Sequence, residues 1–90
     1  MESRIALIGV IVENTESSAG INQLLHEYGS YIIGRMGIPY RERQVGIISV
    51  VLDAPQSVIS ALSGKLGKLP GVSVKTVYSK QAFPGNAAEK

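Results

Sequence analysis

Two stretches of this chain, residues 5–12 and 44–52, are apolar on both sides of a strand's two-residue period. In the first, Ile5, Leu7 and Ile11 alternate with Ala6, Ile8, Val10 and Val12; in the second, Ile47 and Val51 alternate with Ile48, Val50 and Leu52. Strands that read this way sit in the middle of a sheet and are covered on both faces. The feature restricts the fold to a sheet architecture with two faces to hide. The longest apolar run, residues 5–12, is strand-length and far short of the roughly 18–20 residues that a membrane-spanning helix needs.

The segments between these strands set the element order. Strand one ends in Asn14-Thr15-Glu16-Ser17-Ser18, a helix start at which Ser17 or Ser18 is expected to cap. Ile21, Leu24, Leu25 and Tyr28 then fall at i, i+3, i+4 and i+7, one apolar helical stripe that Gly29 can terminate. Residues 31–36 read as a short strand and residues 37–43 as a polar loop punctuated by Gly37 and Pro39, which leads into strand three. Asp53 and Ala54 before Pro55 start a second helix with Val58, Ile59, Leu62 and Leu66 on its buried stripe. Gly67 is expected as the left-handed residue that ends it, with Lys65 and Lys68 complementing the dipole. Val72, Val74, Thr76 and Tyr78 alternate with Ser73, Lys75 and Ser79, the pattern of a fourth strand with one wet face.

The order β-α-β-β-α-β, closed by right-handed crossovers, predicts an α+β ferredoxin-like sandwich: a four-stranded antiparallel sheet with both helices on one face. The chain has 90 residues, room for one core. Residues 1–79 are expected to form the single domain and residues 80–90, without apolar periodicity, a flexible tail. The two helices cover only one face of strands one and three. The other face calls for a cover, most simply a second copy of the chain. Ile8 and Val10 of strand one with Ile48, Val50 and Leu52 of strand three are the expected oligomer interface, and alternation alone leaves open whether Ile47 and Val51 point there instead.

Residue types narrow the chemistry. With no cysteine, disulfides, thiolate metal ligands and a Cys nucleophile are all excluded. His26 is the one histidine, beside Gln23, Glu27 and Ser30 on helix one, with no second His or Cys to share an ion; no metal and no cofactor are expected. Glu13 and Asp53 end the two central strands and read as turn and cap residues rather than as an acid-base pair. No nucleophile stands with a base nearby, so the chain is not read as an enzyme. Polar residues precede the first apolar run, and no small-residue cleavage site follows it, which points to the cytoplasm. A net charge of +2 names no partner by itself.

One region does concentrate charge. Arg35, Arg41 and Arg43 stand against Glu42 with Tyr40 interleaved, and Arg forks grip carboxylate or phosphate while an aromatic can stack on a ring. Gly34 and Gly37 permit close backbone approach there. The Gly64-Lys65-Leu66-Gly67 segment is too short for a phosphate loop and lies at a helix C-terminus, where the dipole repels anions. The stretch from Asn14 to Gly20, with Ser17 and Ser18 in it, leads instead into a helix N-terminus, where free N–H groups favour an anion.

Two segments, Gly34-Arg35-Met36-Gly37-Ile38-Pro39 and Gly64-Lys65-Leu66-Gly67, resemble the iron-only hydrogenase system regulator family, and the likeness extends through Val77. The resemblance implies an ACT-like version of the ferredoxin fold, akin to the ligand-sensing half of nickel-responsive repressors. In ACT-like domains the ligand usually sits by the first loop, often across a subunit boundary, and so near Asn14, Ser17 and Ser18. The repressors' ribbon-helix-helix segment and their nickel ligands have no counterparts in this sequence, so neither role is carried over. The resulting expectation is a non-catalytic regulatory, ligand-sensing or protein-docking module. Its partners would be itself, a small anionic effector, or a hydrogenase maturation or regulatory protein. The alternative is a nucleic-acid-contacting transcriptional regulator that uses Arg35, Arg41 and Arg43; a small hydrolase ranks last.

Overall fold

A computed structural model describes residues 2–83. The expected order is present: β1 (Arg4–Val12), α1 (Ser18–Glu27), β2 (Ile32–Tyr40), β3 (Val45–Ala54), α2 (Gln56–Gly67) and β4 (Val72–Tyr78), with short 3-10 turns at Thr15–Ser17 and Gly29–Tyr31. The strands lie in the order β2-β3-β1-β4, and all three pairings are antiparallel. This is the ferredoxin-like α+β arrangement, with β1 and β3 in the centre as their apolar character requires.

Register divides the sheet cleanly. On one face Ala6, Ile8, Val10 and Val12 of β1 pair with Leu52, Val50, Ile48 and Gly46 of β3 and with Tyr78, Thr76, Val74 and Val72 of β4. Ile21 and Leu25 of α1 and Ile59, Leu62 and Leu66 of α2 close over this face. Ile8, Val50, Leu52, Ile59, Leu62 and Leu66 are wholly buried there, each burial contributing about 1.5–3 kcal/mol. Of the expected interface residues, Ile8, Val10, Val50 and Leu52 therefore lie in the core of their own chain, under its helices, and the partly buried Ile48 packs against that core on the same face. The open face carries the other parity: Leu7, Ile11, Ile47 and Val51. Equal hydrophobicity of the two sets is why alternation could not separate them.

The second strand is longer than its composition suggests. It continues through Gly37 and Pro39 to Tyr40, so most of the expected loop is strand. β2 is an edge strand, where a missing proline N–H disturbs no inner ladder. A bulge between Ile32 and Gly34 offsets the register, and from Gly34 on the pairing with β3 is regular. The reversal is left to residues 41–44, closed by bonds from Arg43 N–H to the Tyr40 carbonyl (3.3 Å) and from Gln44 N–H to the Arg41 carbonyl (3.2 Å).

The helix ends also differ from expectation. Ser17 occupies the N-cap position of α1, but its hydroxyl makes no capping bond and instead donates to the Pro70 carbonyl at 2.6 Å. Gly67 remains helical, and the left-handed glycine is Gly71 (φ 68°), in the turn before β4. A Cβ at Gly71 would stand 2.7 Å from that of Asn14, so both the backbone angle and the space require glycine. Beyond Ser79, where the tail was expected to begin, the chain folds back: Ser3 and Phe83 exchange two backbone hydrogen bonds of 2.7 Å. The rest of that tail, residues 84–90, lies outside the described residues.

Candidate functional site

At the hairpin end of the sheet the helices stop short of the helix-side face, and a cleft of about 220 Å³ remains. Its floor is the last of that face: Val12 at the end of β1, Gly46 and Ile48 on β3, and Pro39 on β2. Thr15 and Ser18 form one wall, at the 3-10 turn and the first residue of α1. Tyr40, Arg41, Gln44 and Val45 close the other side from the hairpin. One water needs roughly 10–15 Å³ on such a measure, so the cleft has room for a small organic molecule.

Local backbone builds the cleft. Asn14 caps the 3-10 turn, its Oδ1 accepting from Glu16 N–H at 2.9 Å, and Ser17 ties the turn to Pro70, so the approach to α1 is held from both sides. The amides that follow Ser18 belong to the first turn of a ten-residue helix, where N–H groups lack intrahelical partners and the dipole is positive. On the hairpin side Gln44 is the one non-glycine with positive φ (55°) among the described residues. Such a conformation costs on the order of 1 kcal/mol and clusters at binding sites. Gly46 keeps the floor low: a Cβ there would come 3.6 Å from the Val12 Cβ and project into the cleft.

The expected binding residues divide into two groups. Ser18, Tyr40 and Arg41 come together around the cleft. Asn14 and Ser17 carry the structural bonds just described. Arg35 lies on the helix-side face further along β2, and its guanidinium donates to Asn22 Oδ1 on α1 at 3.2 Å. Gly34 and Gly37 are strand residues whose Cβ positions face open space, so nothing approaches closely there. Arg43 sits in the hairpin turn outside the lining. Sequence reasoning missed Gln44 and Gly46, while Thr15 falls inside the 14–20 stretch read as an anion-favouring helix start. Only Gly46 carried a signal, a glycine at the start of an otherwise β-branched strand.

The lining sets polar and charged groups over an apolar base. Arg41 supplies a permanent charge with a forked set of donors, the α1 terminus supplies a positive dipole, and Val12, Pro39 and Ile48 supply hydrocarbon contact. No group of three or more metal-ligating side chains occurs among the described residues, and His26 is exposed in the last turn of α1. Away from the cleft, the Lys65 ammonium lies 5.2 Å from the centre of the Tyr28 ring. Hydrogen bonding to Tyr28, and then its charge, hold the Lys65 pKa above the ordinary lysine value. No helix among the described residues is long and apolar enough to cross a membrane.

Known proteins resemble this chain at two levels. A model of the TM1266-like family, described as "Iron-only hydrogenase system regulator, putative", matches residues 4–76. The solved structure of the uncharacterized protein TM1266 from Thermotoga maritima is 39% identical, with a TM-score of 0.83, over 87% of this chain and 99% of that one. At the level of fold alone, the C-terminal domain of the MgtC protein from Mycobacterium tuberculosis is 14% identical with a TM-score of 0.68, over 87% of this chain and 89% of that one. A formyltetrahydrofolate deformylase from Pseudomonas putida KT2440 is 11% identical with a TM-score of 0.62, over 86% of this chain and 29% of that one. No protein of curated function matches.

Proposed function

Since the chain belongs to the TM1266-like family of iron-only hydrogenase system regulators, we propose that it is a non-catalytic regulatory module that senses a small anionic effector in the cleft between α1 and the β2–β3 hairpin. The observation that carries this reading is the convergence of Arg41, Tyr40 and the α1 N-terminus around one apolar-floored cleft. An effector with an acidic group and a short hydrocarbon or ring portion fits that lining. The acid would meet Arg41 and the helix amides, and the remainder would displace water from Val12, Pro39 and Ile48. The response would pass to the hydrogenase system through a maturation or regulatory protein.

Thermal-shift measurements with amino acids, nucleotides and organic acids test the reading. A ligand at a hundred times its dissociation constant stabilises the fold by about 2.7 kcal/mol, a shift of several degrees for a domain this size. Arg41→Ala should weaken the best binder by about 1.5–3 kcal/mol, the worth of a charge-assisted hydrogen bond, at unchanged folding stability. If no compound in those classes shifts the melting temperature, or if Arg41→Ala leaves affinity intact, the cleft is not an anion sensor. The nucleic-acid alternative finds less support: Arg35 is engaged with Asn22 on the helix side, while Arg41 and Arg43 lie in the turn, so the three do not form one stripe.

A further inference from the structure

The open face of the sheet carries an inference independent of the cleft. Rows of residues cross this face perpendicular to the strands, fixed by the pairing register. One row runs Val51, Leu7, Val77 across β3, β1 and β4, and another runs Ile38, Ile47, Ile11 across β2, β3 and β1. Each row stands proud: Leu7 is 43% exposed, Val77 64%, Ile38 45% and Ile47 38%. Between them, on the two central strands, the paired residues are Gly9 and Ser49. The face is thus two apolar ridges with, on the two central strands, a short furrow of small side chains that Met36 on β2 and Lys75 on β4 close at its ends.

From this relief we infer that the open face packs against the same face of a second copy of the chain. A surface with a ridge and a furrow of matching width is complementary to itself, which is what an isologous two-fold contact needs. Sheets that pack this way lie about 10 Å apart, close enough for the Ile11–Ile47 ridge of one protomer to fill the Gly9–Ser49 furrow of its partner. The size agrees. Four strands about 4.8 Å apart and about 27 Å of strand length give roughly 500 Å² in projection. Side-chain relief raises the accessible area towards the roughly 800 Å² per partner of a standard interface. Charge agrees as well, because Lys75 lies on the outer strand β4 and Asp53 at the far end of β3, which leaves the middle of the face uncharged. Apolar core and charged margin are the anatomy of a protein interface.

Two substitutions test the inference, with light scattering and sedimentation for mass and circular dichroism for fold. The wild-type chain is expected to be a dimer at micromolar concentration. Ile47→Asp places an unpaired charge on a ridge and should raise the dimer dissociation constant about a hundredfold or more. Gly9→Val fills the furrow, and within the protomer the nearest atom to the added Cβ is the Lys75 carbonyl oxygen at 3.9 Å, so the fold has room for it. That variant should stay folded, melt at or above the wild-type temperature when both are dilute, and be monomeric. A wild-type monomer at micromolar concentration overturns the inference. So does a dimer that both folded variants retain, since association would then run through the strand edges or the helices. If Ile47→Asp fails to fold, Gly9→Val alone decides.

Discussion

The two faces of one sheet have nearly the same hydrophobicity and opposite fates. Ile8 and Leu7 are neighbours on β1, yet Ile8 is 0% exposed and Leu7 43%. On β3, Val50 is buried among α1 and α2, whereas Ile47, of equal apolar character, stays 38% exposed. Hydrophobicity therefore places a strand in the centre of the sheet but does not say which of its faces the protomer's own helices will take. That choice rests with the helices, whose single apolar stripes can cover one layer, and with β4, whose Val72, Val74, Thr76 and Tyr78 all pair with the helix-side set of β1. A face left over after that choice, and still apolar, is the one the proposed second copy would cover.

A charge placed on each face in turn should separate the two most strongly. Val50→Asp puts an unpaired carboxylate among Ile8, Leu52 and the helices, at a cost of several kcal/mol against a total stability of about 5–15 kcal/mol. The expected outcome is an unfolded chain by circular dichroism at any protein concentration. A folded Val50→Asp variant would mean that the helix-side face is not the core. The Ile47→Asp substitution on the other face should leave the fold and change only the mass.

A milder pair sharpens the same contrast on adjacent residues. Ile8→Ala removes a fully buried side chain and should cost about 2–5 kcal/mol in denaturant titration. Leu7→Ala, measured at high dilution, should cost less than about 1 kcal/mol, and its effect should grow with protein concentration if the open face is shared between copies. Equal costs at all concentrations would remove the distinction between the faces.

Element order was legible in the sequence because each element carries its own period: i, i+3, i+4, i+7 in Ile21, Leu24, Leu25 and Tyr28, and strict alternation in β4. The faces of β1 and β3 were not, since the decisive fact is their register with β4, a long-range pairing that no local window contains. Residues 37–40 read as a loop because Gly and Pro weaken a strand on average, while an edge position tolerates both. The cleft was half legible. Ser18, Tyr40 and Arg41 were readable from the chemistry of arginine, tyrosine and a helix start, but Gly46 and Gln44 matter through the shape of a turn and a strand crossing that only the folded chain brings together.

Arg35 is the test with the smallest expected effect, and it separates two readings of one residue. By charge alone Arg35 belongs with Arg41 as an anion partner, yet register puts it opposite Val50, on the helix-side face, two β3 residues past the cleft floor at Ile48. There it donates to Asn22 Oδ1 across an exposed gap between β2 and α1. A solvent-exposed hydrogen bond of this kind contributes about 0.5–1 kcal/mol, because water replaces either partner at little cost. Arg35→Ala should therefore lower the denaturation midpoint slightly, and Asn22→Ala should lower it by a similar amount. The double variant should cost less than the sum of the two, since both remove one bond. Neither should alter effector binding in the cleft. Loss of effector affinity in Arg35→Ala that matched the loss in Arg41→Ala would show that the guanidinium leaves Asn22 when ligand is present, and would extend the site along β2.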